Sequence, residues 1–359
     1  MKRRNTFIMV FSVFVLAALT LFGCADEGKI NGETDSTKKN PNDIYDESAD
    51  SNEKTITRVN EIGLDDSNGD YLLFGSYPQT EVTDKTLTAE LTSLAGTLPT
   101  EENSQAWTSY GYYIGGVSSE FMWYIDLAHN GAKYRGVYFT SYRPYYCTES
   151  ASHEYFYQDN NGYVTLAVYW FRYEPVKWRI LTETDGKALI LADLALDSQQ
   201  FYHDDYGGTQ TRNDKKVCAN NYAESDIRKW LNDTFYNTAF NALQKELIET
   251  TNVDNGVSGT GYEGNPYVCE NTDDKVFLLS FQEATEYLTA AERKMKVSDY
   301  AKSQGIFAHE GACWWWLRSP SKSLSDYART VSAEGALNSY DGVEYILYGV
   351  LPALTVKLN

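Results

Sequence analysis

The chain has 359 residues and a formal net charge of −19, with 50 acidic against 31 basic side chains. Phosphate backbones and anionic headgroups repel such a surface, which argues against nucleic acid as a partner and against electrostatic attachment to lipid. Hydrophobic residues make up 42%, enough for a sizeable core, and 29 tyrosines supply rings that pack while presenting a hydroxyl.

In chain order, Lys2, Arg3 and Arg4 precede an apolar run from Phe7 to Phe22 that closes on Gly23-Cys24. A basic head, a short apolar stretch and a small residue before the cut predict an export signal over 1–23. The run is shorter than the roughly 20 residues a spanning helix requires. A cysteine directly after the cut has the form of a bacterial lipoprotein signal, with lipid on the Cys24 sulfur. From 24 to 66 the chain is acidic and polar, with isolated apolar residues, and reads as a disordered tether. Together these place the protein on the outer face of the bacterial cell membrane, held by the lipid on Cys24.

A single α+β domain is expected over 67–359, with a Tyr-rich elaboration at about 80–170. Tyr71–Gly75, Val137–Thr140, Tyr163–Phe171, Val176–Leu181 and Ala188–Leu194 carry the β-branched and aromatic residues of strands. Ser225 then caps a helix through Ile227, Trp230 and Leu231, and Phe240, Leu243, Leu247 and Ile248 have the spacing of a second. Ser280 and Glu283 form a capping-box pattern for a third helix, and a fourth runs from Ser298 towards Gly305. Short strands are expected around Trp314–Leu317, Tyr327–Val331, Tyr345–Val350 and Leu354–Leu358.

With Cys24 lipidated, four cysteines remain: Cys147, Cys218, Cys269 and Cys313. An exported chain permits disulfides, and four cysteines allow three pairings that sequence does not rank. None lies in a CxxC, which disfavours structural zinc. Asp65–Asp70 and Asp204-Asp205 are oxygen-rich, so calcium is the cation to consider, although neither has the EF-hand register.

The most distinctive stretch is Cys313-Trp314-Trp315-Trp316-Leu317-Arg318-Ser319-Pro320, followed later by Gly349-Val350-Leu351-Pro352-Ala353-Leu354. On a strand Trp315 points opposite to Trp314 and Trp316. Arg318 reads either as a ligand clamp or as a buried staple. Taken with Tyr71–Gln79, Trp178–Leu181, Ile227–Asn232, Phe235-Tyr236 and Lys275–Ser280, in that order, the chain resembles the bacterial domain of unknown function DUF6273 over roughly 71–358. It departs at Leu351, where family members usually carry Arg, so any pairing made by that Arg is missing here. The closing segment is similar in layout to C-type-lectin-like and formylglycine-generating-enzyme-like folds. That resemblance implies a fold and no activity.

The chain has no GxSxG, HExxH, P-loop or GxGxxG motif, and His129, His153, His203 and His309 are scattered singly. The expected function is therefore ligand binding, with a glycan or peptide as partner. Tyr142, Arg143, Tyr145, Tyr146, Trp314, Trp316 and Arg318 are the candidate contacts. A cell-surface hydrolase or metal-dependent enzyme on the same fold is the alternative, and a structural surface protein is the third reading.

Overall fold

The long strand Val168–Thr184 organises the molecule, because it is longer than any one partner and is shared among three. In the computed structural model, which describes residues 56–62, 68–110, 113–114, 117–118, 121–143, 157–203, 209–212, 215–337 and 339–358, strand Asn68–Glu81 lies along one edge of it. The other edge is divided. Ala132–Phe139 takes residues 168–172, and Lys187–Ala192 takes 178–184. Met122–His129 and Thr108–Ser109 extend the sheet on one side, Thr57–Ile62 on another, and Ala353–Lys357 closes it against Lys187–Ala192. All pairings in this curled sheet are antiparallel, so short hairpins can build it.

Two hairpin turns show how the sequence achieves this. Asn130-Gly131 joins Met122–His129 to Ala132–Phe139, and Asp185-Gly186 joins Val168–Thr184 to Lys187–Ala192. All four residues have φ between 48° and 79°. That is the left-handed conformation a two-residue hairpin turn needs, and Asn, Asp and Gly adopt it most readily.

A second sheet runs in the order Asp197–Ser198, Gly349–Val350, Trp315–Pro320, Tyr327–Val331, Ser339–Gly342. A third, smaller one contains Leu194–Ala195, Lys296–Val297, Ala312–Cys313 and Ala308–His309. The main core lies between these sheets and the helices, and includes Leu72, Trp178, Phe235, Trp315 and Trp316. A smaller core on the opposite face of the large sheet packs Trp107, Trp123, Tyr138 and Trp170 under helix Lys85–Ala95. The alternation that feeds both is visible in one strand: Val137 and Phe139 enter the main core, Tyr134 and Tyr138 the smaller one.

Ser225, Ser280 and Ser298 cap helices Asp226–Trp230, Phe281–Tyr287 and Asp299–Ser303, and Ser280 with Glu283 makes the reciprocal capping box. Other expectations need correction. The continuous helix expected from Phe240 to Ile248 is absent: Phe240 is extended, and only Ala242–Lys245 is helical, under a new Asn241 cap. Phe240 leaves the helix because its ring packs into the main core, 5.2 Å from Phe74 and 6.2 Å from Trp178. Helix Lys85–Ala95 stands in the stretch between Gly75 and Val137, where no helix was expected, capped by Asp84 through Thr86 N and Leu87 N. Strand Thr57–Ile62 falls inside the segment read as tether, and its pairing with residues 68–73 extends the folded region towards the N terminus.

Candidate functional site

Arg318 is a staple within the fold. Its Nη1 donates to Glu283 Oε2 (2.5 Å) and Leu278 O (2.7 Å), and its Nη2 to Glu283 Oε1 (2.8 Å) and Asp254 O (3.1 Å). Its side chain is 1% exposed. The fork matches the carboxylate in two-point geometry. Glu283 Oε2 also accepts the Ser280 N–H, so the same carboxyl closes the capping box and anchors the tryptophan strand to helix Phe281–Tyr287. This is the staple reading of Arg318, with both Nη atoms committed to a carboxylate and to backbone carbonyls.

The other candidates divide between core and surface. Trp316 is fully buried, with its indole N–H donating to Gln199 O (2.9 Å) and its ring 4.6 Å from Tyr348. Trp314 is half-buried and meets the same Tyr348 at 6.3 Å. Trp315, on the opposite face, is also fully buried and donates to Arg293 O. Arg143 is buried and its Nη1 donates to Ser198 O (2.8 Å) and Gln304 O (3.1 Å). Tyr142 is half-buried and donates to Asp159 Oδ1 (3.2 Å). Tyr145, Tyr146, Cys147 and Cys24 lie outside the described residues. So Arg143 and Trp316 converge on neighbouring residues of one segment, Ser198 and Gln199, while Arg318 acts elsewhere.

The residue before them, Asp197, anchors a buried polar cluster. Tyr77 donates to Asp197 Oδ2 (2.7 Å), while Oδ1 accepts from Ser198 N (2.7 Å) and Gln199 Nε2 (3.2 Å). Burial pushes the Asp197 carboxyl above its ordinary value, and hydrogen bonds from Tyr77 and Ser198 offset this only in part. Nearby, Arg135 makes a two-point pair with Asp126 (2.8 and 2.9 Å) and donates to Tyr300 (3.3 Å). Burial raises Asp126, but the hydrogen bonds and charge of Arg135 outweigh it and hold the carboxyl below the usual range. Tyr77, Asp197, Arg135 and Tyr300 are all at most 4% exposed, so the cluster holds elements together out of reach of solvent.

Solvent-facing concavity is found elsewhere. A groove of about 690 Å³ runs between helix Lys85–Ala95 and the start of strand Val168–Thr184. Lys85, Thr88, Ala89 and Thr92 form one wall, at the i, i+3, i+4, i+7 spacing of a helix face. Val168 and Tyr169 form the other, and Glu81, Val82 and Thr83 complete it. Tyr169 is fixed in place: its hydroxyl accepts the Val164 N–H (2.8 Å), and Phe139 and Tyr163 pack against its ring. Glu81 Oε2 accepts from Tyr163 (3.1 Å), and the Glu81 N–H donates to Asp299 Oδ2 (3.2 Å). Burial raises the Glu81 carboxyl above its ordinary value, against the Tyr163 hydrogen bond. Sequence reasoning did not reach this groove. The signals were the Asp84 cap and Gly96 stop that delimit its helix.

Among the described residues, Cys218, Cys269 and Cys313 are not joined to one another. No group of three or more His, Cys, Asp or Glu is placed to hold a metal among the described residues. Of the acidic residues considered for calcium, Asp65, Asp66, Asp204 and Asp205 lie outside them, and Asp70 lies 3.6 Å from Arg58 Nη1. No helix among the described residues is long and apolar enough to cross a membrane.

Residues 185–358 match the family model described as "Domain of unknown function (DUF6273)", which supports the domain assignment over that span. The match begins in the Asp185-Gly186 turn and leaves 71–184, expected to belong to the same domain, outside it. No curated protein and no solved structure matches the chain.

Proposed function

We propose that the chain is a membrane-tethered extracellular binding module that takes a glycan or peptide in the groove between helix Lys85–Ala95 and strand Val168–Thr184. The lipid on Cys24 would hold it to the outer face of the membrane, and a C-type-lectin-like fold is the accompanying reading. Support for that fold comes from the tryptophan strand, the Gly349–Val350 strand after it, and the closing strand on a curled sheet.

The observation that carries the proposal is a contrast. The arginines and tryptophans suggested as contacts are largely committed to internal bonds, while the groove is open to solvent and walled by packed elements. In the segment leading into Val168, Leu166 is 68% exposed with φ 63°, and Val164 is 48% exposed. A bulky apolar side chain held outward on a left-handed backbone is a strained arrangement of the kind that clusters at binding sites. Hydrolysis by paired carboxylates has less support, because Glu81 is the one acidic side chain among the described residues lining the groove.

Glycan-array and peptide-library binding with the full-length chain tests this. Ala89 is exposed, so Ala89→Trp fills the groove without disturbing either core. Binding in one library that Ala89→Trp abolishes, at unchanged melting temperature, is the expected result. Binding indifferent to that substitution, or none in either library, would falsify the proposal.

A further inference from the structure

We propose that the groove takes an extended peptide, added as a short strand on the sheet edge at Val168, with a small apolar side chain flanked by basic ones. This rests on the reading of the groove as the ligand site.

The groove opens where one strand leaves another. Strand Asn68–Glu81 pairs with Val168–Thr184 as far as Glu81 opposite Phe171, and a further bond from Val82 N to Trp170 O (2.7 Å) ends that ladder. The chain then turns at Thr83 and Asp84 into helix Lys85–Ala95. Backbone groups of an antiparallel strand alternate between its two edges, so Val168 N–H and C=O point to the same side as those of Trp170. That side is the groove, because strand Ala132–Phe139 occupies the other edge. Among the described residues neither Val168 group has a hydrogen-bond partner there. The open stretch is short, since Leu166 N–H already donates to Phe139 O (2.8 Å).

A donor and an acceptor side by side on one backbone residue are matched by another backbone residue, which is the pairing strand addition uses. The walls offer both kinds of group as well. Thr83 brings a hydroxyl, and the Tyr169 hydroxyl, which accepts the Val164 N–H, keeps its own proton to donate. Thr88 and Thr92 direct their protons to Val82 O and Thr88 O and present lone pairs. The two faces of the sheet then set the side chains. Val168 packs on the smaller core, under helix Lys85–Ala95, and Tyr169 on the main core. The ligand residue opposite Val168 shares its face and meets the Thr88 and Ala89 wall, which suits a small apolar side chain. Its neighbours lie on the face of Tyr169 and Glu81, where Tyr163 holds the Glu81 carboxyl. Among the described residues no cation pairs with Glu81, and Lys302 is bonded to Asp299 (3.0 Å). Basic flanks supply that charge, in keeping with the net charge of −19.

The experiment is fluorescence anisotropy on the full-length chain in detergent micelles, with a labelled, amidated pentapeptide Ser-Lys-Val-Lys-Ser. Versions of it carry a single N-methyl group, on the valine or on either lysine. Neutral tetrasaccharides of the cello- and N-acetylchito-series, followed by calorimetry, form the other arm. The peptide binds, and N-methylation of the valine weakens it by about tenfold, the loss of one hydrogen bond. N-methylation of either lysine, whose N–H faces away from the sheet edge, changes binding by less than about twofold. Val168→Pro, at the first residue of its strand, removes the groove-facing N–H and gives the same loss as valine methylation. Ala89→Trp abolishes binding. The methylation pattern is read on the wild-type chain, so it decides even where Val168→Pro fails to fold. Peptide binding that Ala89→Trp blocks but that ignores the position of the N-methyl group overturns strand addition and leaves the groove as ligand site. Tetrasaccharide binding that Ala89→Trp blocks, with no peptide binding, does the same. If neither arm binds, both readings fall together.

Discussion

Asp197 is a carboxylic acid shut away from water beside a phenol. At 1% exposure its charged form loses hydration, and burial outweighs the help from Tyr77, Ser198 and Arg143, so its pKa is raised. The folded chain therefore keeps a proton at pH values where the unfolded chain, titrating near about 4, has released it. The sign follows: this contribution to stability is complete below about pH 4 and is lost as pH rises towards the folded pKa. Asp197→Asn cannot titrate and retains an acceptor for Ser198 N, so it gains on the wild type as pH rises. Denaturation midpoints from about pH 4 to about pH 8 read the difference, and parallel profiles would count against it. Arg318 and Arg143 show what sequence does and does not disclose at this scale. The capping box at Ser280 and Glu283 was readable, because its members lie within one turn. The pairing of Glu283 with Arg318, across 35 positions, is set by the fold, so clamp and staple looked alike.

Between residues and the whole fold, close approach between elements decides the outcome. Gly75 has φ 71° in strand Asn68–Glu81, beside a register shift between Leu73 and Ser76. A Cβ there would sit 2.5 Å from the Phe240 ring and 2.9 Å from Ala239 O. Gly186 has the same φ in a hairpin turn, with nothing within 4 Å of its would-be Cβ. Gly186→Ala therefore meets backbone strain alone, about 1 kcal/mol. Gly75→Ala adds overpacking and costs about 3 kcal/mol. Urea denaturation of both variants separates the two terms, and equal losses would refute the packing argument. The same contact explains the broken helix. Phe240, Leu247 and Ile248 are buried as their spacing foretold, but Leu243 is exposed and Phe240 reaches the core in an extended conformation beside Gly75. The helix over Lys85–Ala95 went unread because Thr86, Thr88 and Thr92 are β-branched and lower its helix propensity. With it went the groove.

For the whole molecule, the notable boundary is the start of the family match at residue 185. It cuts the hairpin joining Val168–Thr184 to Lys187–Ala192, so the matched half contains a central strand without one of its two partners. The main core crosses the same line. Phe235 and Phe240 from the matched half pack on Tyr77 (5.1 Å) and Phe74 (5.2 Å), and Trp178 lies over Phe240. The legible motifs, from Tyr71 to Leu354, ran across this line as one ordered set, and the sheet gives the reason. Residues 68–81 and 168–184 supply the surface on which the second half closes. Expressed alone, residues 185–358 would expose the unpaired edge of Lys187–Ala192 and an apolar face, and such edges aggregate. The expected result is a fragment without cooperative unfolding or fixed near-ultraviolet dichroism. Co-expression with residues 1–184 restores both, because the missing strand and aromatic partners return together. A 185–358 fragment that unfolds cooperatively unaided would show that the matched half folds on its own, with the N-terminal strands an addition to it.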